Sequence, residues 1–210
     1  MLYPSTHNYD PLEVVNENVK DVSTLKELML QDHITILAFF GKKPMDKAIA
    51  ASNLKELVYD KFKGFKKFQI VVVAPQGSET EYGTLKKEVA LYEDLRFWHY
   101  VFHSDENINA IYNSLITDGN LDKDLSTEEV FIIDKDKKQR GRLDDREDRE
   151  KELNKPVKQL YSYNCIEVAE IKNKMSDDIR ILFTEYRQKR KGDFEDSDKR
   201  RTKDLKQNDE

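Results

Sequence analysis

Four sets of residues in this 210-residue chain carry side chains able to do chemistry: Lys43 and Lys47 around Pro44, the pair His99 and His103, the single Cys165, and the acidic–basic run Leu143 to Glu150. Two ammonium groups beside the free N–H donors of a helix start could hold an anion. No glycine-rich cradle surrounds Lys43 and Lys47, however, and the plainer reading is a loop filled with solvated lysines that the helix dipole mildly disfavours. His99 and His103 would suit one metal ion on a helix. Their neighbours Phe97, Trp98, Tyr100, Val101 and Phe102 favour a strand, which sets the imidazoles roughly 13 Å apart at about 3.3 Å per residue. Each then reads as a core or rim histidine, with His103 the more interesting because ligands gather at the C-terminal ends of parallel strands.

Cys165 opens the last helical pattern, where a dipole could activate a thiol mildly. It has no second cysteine to resolve a mixed disulfide, and a half-buried structural residue is the expectation. The run Leu143 to Glu150 lacks the Asp-x-Asp-x-Asp-Gly spacing of a calcium loop, and its interleaved arginines would neutralise a cation site, so it reads as a solvated or partner-docking surface. No metal or cofactor is expected, nor is any Ser-His-Asp, zinc-protease, Walker or dinucleotide pattern present.

The elements that must position these residues alternate. His33 to Phe40 is an almost unbroken apolar run, as in a strand buried on both faces. After Gly41 and Pro44, an amphipathic helix is predicted from Met45, Ala48, Ile49, Leu54, Leu57, Val58, Phe62 and Phe65. Phe68 to Ala74 is a second buried strand, so the three elements form a βαβ unit with parallel strands. Ser78 and Glu81 have capping-box spacing ahead of a helix through Leu85, Val89, Tyr92 and Leu95. Arg96 to His103 predicts a strand, and Ser104 caps a short helix through Ile108, Ile111, Tyr112 and Leu115. Glu129 to Ile133 and Gln139 to Leu143 read as a hairpin, and Asn164, with Glu167, caps a long helix along Val168, Ile171, Met175, Ile179, Leu182, Phe183 and Tyr186.

Thirty-six Lys and Arg against 41 Asp and Glu leave a formal charge of −5, without a global positive field for nucleic acid or anionic lipid. Asp134 to Lys151 holds 15 charged residues in 18, and Arg190 to Glu210 holds 14 in 21, so both are expected in water and the second as a disordered end. The predicted organisation is an irregular arm over 1–22 that packs Val14, Val15 and Val19; one domain over 23–190 that opens with a short helix at Ser23, Leu25, Leu28 and Met29; and a charged tail over 191–210. No apolar run reaches the ~20 residues of a membrane span. The chain as it stands reads as soluble, with any leader or anchor lying before Met1.

A parallel βαβ unit joined to a hairpin and closed by a C-terminal helix is the α/β thioredoxin-like architecture, a central mixed sheet flanked by helices, with an inserted helix and strand. The strand ending in Phe39-Phe40, the Pro44 at the next helix, the Val130-Phe131-Ile132-Ile133-Asp134-Lys135-Asp136 strand and turn, and Val168-Ala169-Glu170-Ile171 together resemble the Sco/SenC branch of that superfamily, over roughly Leu25 to Tyr186. The resemblance implies a copper site of two cysteines and a histidine, and a part in maturing the copper centre of cytochrome c oxidase outside the cytoplasmic membrane. The chain departs from it at those positions. Lys43 and Lys47 stand where the cysteines would fall around Pro44, and Asp124 to Glu128 contains no histidine. Cu(I) needs soft sulfur and disulfide exchange needs a thiolate, and a protonated lysine supplies neither.

Three functions follow as expectations. The first is a non-catalytic Sco-like protein acting through protein contacts, in oxidase assembly or copper handling, on the periplasmic side of the membrane. The second is a thioredoxin-like structural subunit of a larger envelope complex, with Asp134 to Lys151 and the tail as docking segments. The third, an enzyme using Lys43, Lys47 or His103, lacks a nucleophile with an adjacent base. The absence of a signal segment leaves a cytoplasmic location as the alternative. A protein partner is expected and nucleic acid is not; membrane association would come only through an anchor outside this chain.

Overall fold

The computed structural model describes residues 11–22, 30–91 and 93–191. The helix expected at Ser23 to Met29, the first ten residues and the charged tail beyond Lys191 lie outside the described residues. In chain order the elements are β1 (Glu13–Asn16), β2 (Ile34–Phe40), α1 (44–62), β3 (Phe68–Pro75), α2 (Glu79–Ala90), β4 (Trp98–His103), α3 (Asp105–Tyr112), β5 (Ser126–Ile133), β6 (Gln139–Gly141), α4 (Asp148–Glu152), β7 (Tyr163–Asn164) and α5, whose π-helical stretch Glu170–Met175 runs into Ser176–Lys191. α1 is composite: a 3₁₀ turn Pro44–Lys47, an α segment Ala48–Leu54, a π turn Lys55–Tyr59 and a last α turn Asp60–Phe62.

The strands make one mixed sheet in the order β1-β6-β5-β2-β3-β4, with β7 added to β5. β2, β3 and β4 are parallel, and β5 returns antiparallel to β2. Every residue of β2 and β3 is buried, as their unbroken apolar composition requires of strands covered on both sides. Ile34, Ile36, Ala38 and Phe40 face a core shared with Leu54, Val58, Tyr82, Leu85, Ile171 and Ile179, so α1, α2 and α5 cover one side. Leu37 and Phe39 point oppositely, toward Val19, Val22, Leu30, Ile108 and Tyr112. The period-two alternation of a strand thus sorts one sequence run into two cores. This arrangement, parallel βαβ, inserted α–β, hairpin and closing helix, is thioredoxin-like.

The structure departs from the sequence reading in several places. The arm is not irregular throughout: β1 pairs antiparallel with β6 and extends the sheet. Val19 packs in the core, whereas Val14 is exposed at the edge. Ser78 occupies the N-cap of α2 without capping it, because its hydroxyl donates to the Pro75 carbonyl at 2.5 Å, closing the turn behind it. Ser104 does cap α3, accepting from Asn107 N. Asn164 belongs to β7 opposite Glu129, and its side chain accepts from Ile166 N ahead of α5 instead of capping it. Met45, Ile49, Phe65 and Val168, read above as core stripe, are all exposed.

The largest departure concerns charge. Much of Asp134 to Arg142 is inside the molecule: Asp134 is fully buried, and Arg140 is only 4% exposed. Arg140 donates to Asp134 at 2.9 Å, to Glu185 of α5 and to the Leu12 carbonyl. Two residues along the same face, Arg142 pairs with Asp178 and Asp145, each at 2.9 Å, and Tyr163 donates its hydroxyl to Asp178 at 2.6 Å. Burial raises the Asp178 carboxyl above the usual carboxylate range, with Arg142 and Tyr163 opposing that shift. Lys174 also reaches Asp145. The hairpin and α5 are therefore joined through a polar layer in which each guanidinium is met by carboxylates.

Candidate functional site

The positions of interest lie where β2 ends. Gly41 carries the chain out of the strand with φ +69°, and its backbone passes against the 122–126 segment, to which Lys42 N donates at the Asp124 carbonyl, 2.8 Å. Tyr82 of α2 donates to the Gly41 carbonyl at 3.0 Å. Pro44, buried, opens the 3₁₀ turn, where its missing N–H would have had no helical partner. Opposite, β5 starts early, at Ser126 rather than Glu129, and its register against β2 shifts between Ala38 and Phe40, a bulge beside the site.

The 122–128 segment is built on Asp122, whose carboxylate accepts from Asp124 N at 2.9 Å, Ser126 N at 2.8 Å and the Ser126 hydroxyl at 2.7 Å. Burial works to raise this carboxyl, but the Ser126 and backbone donors prevail and hold it below the usual carboxylate range. The fixed loop presents two further carboxylates to the helix start. Lys43 Nζ stands 3.3 Å from Asp124, and Lys47 Nζ 3.4 Å from Glu128. Lys42, one residue earlier, pairs with Asp105 at 2.6 Å. The structure thus brings Lys43, Pro44 and Lys47 together with Asp124 and Glu128, which the sequence reading did not single out. Their only advance signal is the acidic spacing in 122–128; a pairing across 81 residues cannot be read from it.

Cys165 lies directly behind this cluster. Its amide donates to the Glu128 carbonyl at 2.8 Å, and its own carbonyl accepts from Asn53 of α1 at 2.9 Å. The thiol is fully buried, and burial, with Glu129, Glu128 and Glu170 nearby, pushes its pKa far up, the opposite of dipole activation. We predict that iodoacetamide labels Cys165 in the folded chain on the order of 100-fold more slowly than in urea, and that alkylated-mass kinetics show this directly. Labelling at comparable rates would contradict the burial. His103 is buried, with Nε2 donating to the Val22 carbonyl at 2.7 Å, so it ties the arm to β4. His99 sits on the same strand, its imidazole lowered by burial, His33 and Lys86.

What can this arrangement do? Ammonium groups engaged by carboxylates offer no electron pair to Cu(I), the one thiol nearby is enclosed and held protonated, and the exposed Met45 thioether is by itself a single soft ligand. The residues at the site therefore do not fit the copper that the Sco/SenC resemblance implies, nor thiol–disulfide exchange. Among the described residues, no group of three or more His, Cys, Asp or Glu is placed to hold a metal ion. Around the ion pairs lie exposed apolar side chains: Met45 and Ile49, four apart on α1, and Ile166 and Val168 just after Cys165, which Asn53 joins to α1.

No protein-family model matches the chain, and no curated protein matches it by sequence. Among solved structures, it is similar to a SCO1/SenC family lipoprotein from Bacillus anthracis, at 14% identity over 72% of this chain and 83% of that one, with a TM-score of 0.46. It is also similar to the soluble domain of Sco1 from Bacillus subtilis, at 15% identity over 80% and 92%, TM-score 0.44. A third is Arabidopsis thaliana ScoI with copper bound, at 14% identity over 72% and 86%, TM-score 0.38.

Proposed function

We propose that this protein is a Sco-like thioredoxin-fold domain without metal or thiol chemistry, acting through protein contacts at the former active end, in oxidase assembly or copper handling outside the cytoplasmic membrane. The observation that carries this reading is the pairing of Lys43 with Asp124 and Lys47 with Glu128. The helix start and its facing loop keep the places that the resemblance assigns to copper ligands, but those places hold mutually neutralised charges. Met45, Ile49, Ile166 and Val168 beside them give a partner apolar area of the kind a surface retains only at some cost in solubility. Among the described residues no helix is long and apolar enough to cross a membrane.

The alternative of a structural subunit docking through Asp134 to Lys151 is less well supported. Asp134, Arg140, Arg142 and Asp145 of that segment are committed to contacts inside the molecule. The test is affinity capture from the producing organism's envelope fraction, with the unaltered chain and with Ile49→Glu and Val168→Glu. The reading expects an oxidase-assembly or copper-handling protein that the unaltered chain retains and both variants lose. Retention of no such protein, or equal retention by the variants, would overturn it.

A further inference from the structure

At the opposite end of α1 and α5 the chain exposes aromatic rings inside a basic rim. The connection from α1 to β3 reads Lys61-Phe62-Lys63-Gly64-Phe65-Lys66-Lys67-Phe68. Phe62 and Phe68 are buried, but Phe65 is 39% exposed and stacks on Phe183 of α5 with centroids 4.2 Å apart. Around this pair, Lys66 and Lys67 are exposed on the loop, and Arg180 and Arg187 flank Phe183 at i−3 and i+4 on α5, on the same helix face. Lys61 bonds only to neutral oxygens, the Ser176 hydroxyl at 3.1 Å and the Lys172 carbonyl. Its pKa is lowered by burial and by Arg180 and Lys172, as expected where cations outnumber anions. Carboxylates nearby include Asp177, already paired with Arg180 at 2.5 Å, Asp32, just ahead of the Ile34–Phe68 register pair, and Asp136, which accepts from the hydroxyl of Tyr186 next to Arg187 at 3.2 Å. Lys63 is held by Asp60 and Glu93.

We propose that this end docks on an anionic phospholipid surface, Phe65 entering the interface while Lys61, Lys66, Lys67 and Arg187 meet lipid phosphates. The local excess of cations complements an anionic headgroup layer even though the whole chain carries −5, because attraction to a surface acts within about a Debye length. A single aromatic at a Gly-containing loop tip with lysines on either side matches the amphipathic chemistry of a bilayer interface, apolar body below and charge above. A nucleic acid is less well matched: Phe183 offers one ring face to Phe65 rather than to a base, and long-range repulsion by the net negative charge opposes a long polyanion. Net charge hides this feature in the sequence, since the acidic residues that balance it lie elsewhere.

The test is co-sedimentation of the full chain with vesicles of phosphatidylcholine alone and of phosphatidylcholine mixed with phosphatidylglycerol, at low and high salt. The expected result is binding to the phosphatidylglycerol vesicles only, weakened by salt. The partition coefficient should fall at least about tenfold in Lys66→Glu/Lys67→Glu, whose exposed positions leave the fold untouched, and should fall in Phe65→Ser as well. Three results would overturn the proposal: no phosphatidylglycerol-dependent binding, undiminished binding by the lysine double variant, or preferential binding of an oligonucleotide that those lysines support and vesicles fail to displace.

Discussion

Replacing Arg140 with Ala is expected to cost about 3–5 kcal/mol of folding stability, the usual penalty for removing one partner from a buried ionic cluster. The substitution strips Asp134, which is fully buried, and Glu185, only 6% exposed, of the guanidinium between them, and frees the Leu12 carbonyl that ties β1 to the body. Against a total stability of about 5–15 kcal/mol, that loss should bring the urea midpoint sharply down. The triple variant Arg140→Met/Asp134→Asn/Glu185→Gln should recover most of the loss, because it removes the enclosed charges along with the pairing, Asp134 above all, since Glu185 keeps Lys189 at 3.0 Å. Equal midpoints for Arg140→Ala and the unaltered chain would show that the layer between hairpin and α5 is not as tightly enclosed as its geometry indicates.

The second large effect is expected at Gly41. An alanine there would hold φ at +69°, and its Cβ would meet the Asp124 carbonyl oxygen and stand 2.7 Å from Ser126 Cβ, both on the loop that supplies Asp124 and Glu128. Left-handed backbone alone costs an L-residue about 1–2 kcal/mol, and the collision adds to it, so Gly41→Ala should lose roughly 2 kcal/mol or more. Two other glycines separate the contributions. Gly77 has φ +88° with open space around it, so Gly77→Ala isolates the backbone share. Gly64 has neither a positive φ nor a neighbour within 4 Å, so Gly64→Ala should be neutral or slightly stabilising. Urea denaturation of the three variants checks the ranking; a Gly41→Ala loss no larger than that of Gly77→Ala would mean that the loop yields.

These expectations mark where sequence reading stops. β2, β3 and the helices between strands were legible because unbroken apolar runs and three-to-four-residue stripes translate directly into buried strands and amphipathic helices. The loss of the cysteines around Pro44 was legible too, since residue type alone decides whether a side chain can be a thiolate. What replaced them was not. That Lys43 meets Asp124 and Lys47 meets Glu128 depends on β5 returning beside β2, a tertiary fact without a local signature. The same applies to Arg140 and Arg142: a run of 15 charged residues in 18 reads as solvated, yet Arg140 in β6 and Arg142 just past it find Glu185 and Asp178 on a helix about 40 residues away. The opposite holds at Met45, Ile49 and Phe65, where helical periodicity predicted core and the side chains are exposed.

Whether the scaffold has kept any metal chemistry is decided by Cu(I) titration. The folded full-length chain is titrated under reductant against a chromophoric Cu(I) chelator, with urea-unfolded chain as the comparison in which Cys165 is free. No withdrawal of copper from the chelator by the folded chain is expected, because Lys43 and Lys47 are paired with carboxylates, Cys165 is enclosed, and Met45 alone is one soft ligand. Stoichiometric withdrawal of one copper ion per folded chain would contradict it and return this site to metal chemistry.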